Sequence, residues 1–223
     1  MAARKRPKHR SGNSRAANAR PGNPKPGNPK QRLITAALTL AEEKGWRRIG
    51  IAEIAEAAGL SLEETHTIAR SKHAILGALR RQVDESMLAG GVVGGDSRRD
   101  RLFDVLMRRF EALRPYRAGL RAILRDSVGS PALVGMLPGL LRSMGWTLAV
   151  AGLPASGLRG RLARRVVGAI YVSLLPAFFR DESRDLGSTM AALDKRLRQV
   201  ESVFSTIGPV LSRVPGERRR AQA

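Results

Sequence analysis

The chain has 223 residues, enough for one large domain or for a small one joined to a larger one. Lys and Arg number 40 against 19 Asp and Glu, a formal charge of +21 that attracts phosphate, whether of nucleic acid or of anionic lipid. The absence of cysteine excludes disulfides and thiolate metal sites, and three scattered histidines (His9, His66, His73) argue against an imidazole metal site. No uninterrupted apolar run approaches the roughly 20 residues of a membrane span; the longest, residues 166–179, is short and contains Pro176.

Residues 1–30 carry Arg4, Lys5, Arg6, Lys8, Arg10, Arg15, Arg20, Lys25 and Lys30 and no acid. The near-repeat PGNPKPGNPK over residues 21–30 has Pro and Gly at a density that helices and sheets do not tolerate. These residues read as a disordered basic arm, a possible route to nucleic acid. Residues 1–20 also have the Arg-rich, acid-free composition of a cleaved targeting peptide, but lack the apolar positions of an amphipathic one.

Order is expected from Gln31. Leu33, Ala37, Leu38, Leu40 and Ala41 have helical spacing, Gly45 stops the helix, and Trp46 follows. The run IAEIAEAA over residues 51–58 predicts a second, short helix ended by Gly59. Ser61-Leu62-Glu63-Glu64 is a capping box, in which the Ser61 hydroxyl and the Glu64 carboxylate each satisfy a free backbone N–H at the start of a third helix. Ser71 caps a fourth helix running to about residue 89. The Gly-rich GGVVGGDS of residues 90–97 is the expected domain boundary. Further helices are expected over about 98–113, 115–127, 131–151, 156–180 and 186–207, followed by a basic tail from residue 208. No stretch alternates as a strand does. The fold class is all-α: a helix-turn-helix domain over 31–89 and a larger helical domain over 97–207.

Two helices of the second domain contain Pro138 and Pro176, which are expected to kink them and hold them apart. The apolar residues on those helices are the candidates for a ligand pocket: Met136, Leu137, Leu140, Leu141, Met144, Ile170, Tyr171, Leu174, Leu175, Phe178 and Phe179. The same stripe read plainly is ordinary core. Trp146 reads as core or as an exposed anchor for a partner. Met190, Leu193, Leu197, Val200, Phe204 and Ile207 form one face of the last helix, as core or as a dimer seam. No nucleophile motif, phosphate-binding glycine pattern or HExxH appears, and the paired acids Glu42-Glu43, Glu63-Glu64 and Asp181-Glu182 sit near expected helix ends. A non-enzyme without a cofactor is expected.

The order IAEIAEAAGLS over residues 51–61, then Ser71-Lys72 opening a long helix, resembles the TetR family of repressors. That resemblance implies a third helix that enters the DNA major groove, with candidate DNA contacts at Thr65, His66, Thr67, Arg70 and Lys72, the last matching the family's phosphate-contacting lysine. This third helix departs from the family pattern by carrying Glu63 and Glu64 at its tip, where a phosphate lattice favours cations. A second resemblance covers about residues 33–200. FEALRPY (110–116), SMGW (143–146), GAIY (168–171) and DESRDLGSTMAALDKRL (181–197) look like the ubiquinone-biosynthesis accessory proteins, lipid binders that share the TetR fold. It implies an isoprenoid or other lipid in the C-terminal domain, presentation to a partner hydroxylase, and loss of DNA reading; Gly208 to Val214 is too short for that group's membrane helix. Both resemblances imply a homodimer in the cytoplasm, the second also a peripheral membrane contact. Two functions stand side by side: a lipid-binding accessory protein of quinone biosynthesis, and a ligand-responsive transcriptional regulator.

Overall fold

The structure is a computed structural model that describes residues 27–211 apart from residue 96, with side chains described up to residue 200 except at 96 and 132. The expected basic arm up to residue 26, the tail from 212, and the side chains of Phe204 and Ile207 lie outside the described residues. Among the described residues the chain is nine α-helices and one 3-10 turn, with no strand.

The first three helices are α1 (Pro29–Lys44), α2 (Ile51–Ala58) and α3 (Leu62–Ile68). Helix α1 begins two residues before the expected Gln31, because the Asn28 side chain accepts from the Lys30 N–H and Pro29 occupies the first turn, where no N–H is missed. Gly59 ends α2 in the left-handed conformation at φ 64°, and its N–H and that of Leu60 return to the last turn of α2. That return makes the turn tight enough to launch α3 at once. Both halves of the Ser61–Glu64 capping box are formed.

Helix α4 (Lys72–Ala89) leaves this unit and packs on α1, then on α5 (Arg98–Leu113) and α7 (Pro131–Val150). The Gly-rich stretch falls between α4 and α5. A 3-10 turn (Arg114–Tyr116) leads into α6 (Arg117–Ser127), which lies against α1. Helices α8 (Gly157–Arg180) and α9 (Gly187–Leu211) complete the C-terminal half, α8 packing on α7 and α9, and α9 on α5. Leu33, Ile54, Ile75, Leu106, Phe110, Met144 and Phe178 belong to one continuous buried core that runs through both halves.

Two sequence expectations need correction. Helices α7 and α8 run unbroken through Pro138 and Pro176, and both prolines lie on exposed faces. Beneath them the chain is packed: Met144 is fully buried, and Phe110 stacks between Tyr171 and Phe178 with both ring centroids at 5.2 Å. Second, residues Leu133–Val150 and Gly157–Arg180 are each long and apolar enough, by length and composition alone, to cross a membrane. Neither is an uninterrupted apolar run, because arginines interrupt both helices.

Candidate nucleic-acid interface and ligand cavity

The helix-turn-helix presents α3 to solvent along one side. Leu62, Glu63, Glu64, His66 and Thr67 are exposed, as is Arg70 just beyond the helix. Thr65 is only 1% exposed and faces inward, so it is not part of this surface. The Thr67 hydroxyl donates to the Glu64 carbonyl, an internal bond that leaves its oxygen as an acceptor. The Glu64 carboxylate accepts from the Ser61 N–H at 2.7 Å, and this bond holds its pKa below the usual carboxylate range. Glu64 is thus an ionised cap of α3, whereas Glu63 is exposed and has no hydrogen bond or ion pair from its side chain among the described residues.

Lys72 is placed differently from the role its position implies. Its ammonium donates to the Trp46 carbonyl at 2.8 Å and to the Ile49 carbonyl at 2.7 Å, and lies 4.9 Å from the Trp46 ring centroid. Burial lowers its pKa. The lysine thereby fastens the α1–α2 connection to the start of α4, with one N–H direction left over. Arg47 and Arg48 lie between those two carbonyls in sequence and are exposed, so they stand beside the α4 N-terminus together with Arg70. None of the three arginines has an ion pair among the described residues. The surface is polar in an electrostatic sense: acidic at the start of α3, cationic around its end.

Several contacts join this unit to the C-terminal half. The Tyr116 hydroxyl accepts from Gln31 of α1 and Gln82 of α4, each at 2.9 Å. The Asp126 carboxylate accepts from the Trp46 N–H at 2.7 Å. Gly119 of α6 lies so close to α1 that a Cβ there would sit 2.6 Å from the Leu38 Cβ and carbonyl oxygen. Deeper down, Asp84 of α4 pairs with Arg109 of α5 at 2.6 Å, and both also bond Ser143 of α7. Arg80 reaches the other Asp84 oxygen at 3.1 Å, and the Arg109 guanidinium lies 5.3 Å from the Tyr171 ring, whose hydroxyl pKa is raised by burial. No local signal in the sequence marks this network, since Arg109 stands 25 residues from Asp84 and 34 from Ser143.

A cavity of about 560 Å³ opens at the far end of the C-terminal half. Leu102 of α5 and Leu148 of α7 form its floor, Val166, Val167 and Ile170 of α8 one wall, and Leu197 and Val200 of α9 the other. Arg98, Arg99 and Arg159 stand at its edge, and no acidic side chain lines it. Of the residues expected to line a pocket, Ile170 alone does so here. Met144, Tyr171, Leu174 and Phe178 are buried in the core, Met136, Leu140, Leu175 and Phe179 are half-buried against it, Leu141 is half-buried, and Leu137 is 49% exposed. Trp146 is 51% exposed on α7, while Leu193 and Leu197 of the last helix are core. No cluster of potential metal ligands occurs among the described residues.

Compared by sequence, the chain matches no family model and no curated protein. Compared by structure, it matches a TetR transcriptional regulator from Nitrosomonas europaea at 19% identity and TM-score 0.62, over 78% of this chain and 98% of that one. A putative TetR-family regulator from Syntrophomonas wolfei superposes at 14% identity and TM-score 0.58, covering 78% and 95%. A third, from Rhodococcus sp. RHA1, has 19% identity, TM-score 0.54 and the same two coverages. The chain has the TetR fold. Its helix-turn-helix is the α2–α3 pair of that fold, and the cavity lies within the helical domain beyond it. These neighbours bear out the first resemblance at the level of fold; none of the three is described as an accessory protein of quinone biosynthesis.

Proposed function

We propose that the chain is a DNA-binding regulator of the TetR type, cytoplasmic, homodimeric and non-enzymatic, whose C-terminal domain responds to a small ligand. The observation that carries this reading is the course of α4. Its first residue locks the α1–α2 connection, and its body is tied through Asp84 to Arg109 and Ser143 on α5 and α7. Those two helices supply the cavity floor, Leu102 and Leu148. A ligand that moves α5 against α7 therefore moves the helix that holds the DNA-facing unit, and in a dimer this changes the spacing of two α3 helices. Two half-sites one helical turn apart, about 34–36 Å, suit such a pair. Phosphate contact falls to Arg47, Arg48 and Arg70, and base contact to His66, Thr67 and Glu63, the last as an acceptor from cytosine.

Selection of bound duplexes from a random pool, repeated at several salt concentrations, tests the reading. A palindromic site that persists at physiological salt supports it. Binding that ignores sequence and collapses with salt rejects specific regulation and leaves only the electrostatic attraction of a basic chain.

A second reading, the lipid-binding accessory protein of quinone biosynthesis that presents an isoprenoid or other lipid to a hydroxylase, draws support from two features. Glu63 opposes phosphate at the tip of α3, and Trp146 is half exposed on α7, an aromatic side chain of the kind enriched where protein partners meet. Recovery of a co-purified quinone precursor, with no selected duplex, would favour it over the regulator.

A further inference from the structure

The cavity among α5, α7, α8 and α9 has two chemically distinct parts. Its interior is aliphatic throughout, with Leu, Val, Ile and Ala side chains and no aromatic ring, so nothing in it favours a flat, stacked ligand. Its edge carries three arginines and no acid. Arg99 is engaged with Asp194 at 2.8 Å. Arg98 and Arg159 are exposed and have no ion pair among the described residues. They sit in the first turns of α5 and α8, where the helix dipoles add to the positive potential. Helix α8 begins without a side-chain cap bond and without an acid in its first turn, so its first backbone N–H groups add to the positive potential around Arg159.

We propose that this cavity binds a single-chain amphiphilic carboxylate: an unbranched acyl chain along the aliphatic trough, its head group held at the edge by Arg98 and Arg159. The inference rests on the ligand-responsive reading above and supplies its ligand class. The volume of about 560 Å³ is within the roughly 300–1,000 Å³ of pockets that hold one small molecule. Each methylene buried in the trough is worth about a fourfold gain in affinity. The head group decides which chain is taken, because a carboxylate pairs with two guanidinium forks and an alcohol does not.

Calorimetric titration of the full-length protein, without DNA, tests this with octanoate, dodecanoate and palmitate, the matching alcohols, and phosphatidylglycerol vesicles. The expected result is affinity that climbs about fourfold per methylene from octanoate to dodecanoate, and a carboxylate preference over the alcohol of about tenfold or more. The double variant Arg98→Gln/Arg159→Gln should abolish that preference and keep the chain-length dependence. Ala163→Phe, which fills the trough, should remove binding of acids and alcohols alike. Equal affinity for acids and alcohols in the parent protein overturns the proposal, as does the absence of binding. Capture by vesicles without binding of free acids overturns it in favour of a membrane-facing arginine patch. Acid binding in a protein that selects no duplex keeps this site and defeats the regulator reading; duplex selection without acid binding does the reverse.

Discussion

Asp84 and Arg109 form an ion pair that is 6% and 2% exposed, between helices of the two halves of the molecule. Replacing Asp84 with Ala leaves the Arg109 guanidinium buried, with Ser143, the Met87 sulfur and the Tyr171 face to compensate it, none of them charged. Removing one partner of such a pair costs about 3–5 kcal/mol, because an unpaired charge remains in a poorly polarisable interior. For a protein of this size each kcal/mol shifts the melting temperature by about 2–4 °C, so the variant should melt roughly 6–20 °C below the parent. The pair itself is imperfectly satisfied, since the Arg109 Nε has no hydrogen-bond partner. An apolar replacement of both residues, Asp84→Leu/Arg109→Met, should therefore recover most of the loss. Thermal melts followed by circular dichroism measure all three proteins. A melting temperature for Asp84→Ala within about 2 °C of the parent, or a double variant no better than the single one, would refute the reasoning.

Gly119→Ala should cost about 1–3 kcal/mol in urea unfolding, because its Cβ would press on Leu38 and prise α1 from α6; a neutral result would mean that the two helices are not in close contact. Glu63→Lys should tighten binding to every duplex and steepen the salt dependence by about one counterion, read by fluorescence anisotropy, whereas weakening confined to one preferred site would identify Glu63 as a cytosine reader. Burial alone would raise the Asp181 pKa, but bonds from the Ser183 and Thr189 hydroxyls and N–H groups outweigh it and hold the carboxyl below its ordinary range. Its stabilising effect is accordingly present at neutral pH and lost as pH falls through the lowered folded-state value. Asp181→Ala should destabilise by about 1–3 kcal/mol at pH 7, and the gap should narrow below about pH 4; a gap that stays constant to low pH would contradict the assignment.

The helix-turn-helix was legible in the sequence because its signals are local. Gly45, Gly59, Ser61 with Glu64, and Ser71 each act on backbone within a few residues, and α2, α4 and α5 lie within a residue or two of where those signals put them. The later helices followed from Pro115, Pro131 and the Gly-rich break in the same way. What the sequence could not express was the meeting of distant residues. Lys72 reads as a lysine at a helix start, and only the folded chain brings the Trp46 and Ile49 carbonyls to its ammonium. An aliphatic stripe such as Val166, Val167 and Ile170 has the same spacing whether it lines core or cavity. The outcome depends on how far α5 and α9 stand from α8 at that level. A proline marks a backbone irregularity, whereas a cavity requires neighbours that fail to fill the space beside it, and the cavity lies toward the ends of α7 and α8 away from Pro138 and Pro176.

The acidic tip of α3 bears less heavily against DNA binding than its composition implies. Glu64 is bonded to the Ser61 N–H and sits at the positive end of its own helix, which offsets part of its charge toward an approaching phosphate. That leaves Glu63 as the free carboxylate of the tip, against Arg47, Arg48 and Arg70 at the opposite end of the same surface. A duplex laid along α3 would meet these arginines at its phosphate backbone and Glu63 at a base edge, and this polarity orients the contact instead of forbidding it. Lys72, by bonding to backbone carbonyls, fixes the segment that carries Arg47 and Arg48. On the proposed DNA-binding reading the lysine would serve phosphate binding at one remove: Lys72→Gln should weaken duplex affinity and also loosen Arg47 and Arg48, and this second effect shows as faster amide exchange over residues 46–49. Loss of affinity with unchanged exchange there would instead assign Lys72 a direct phosphate contact.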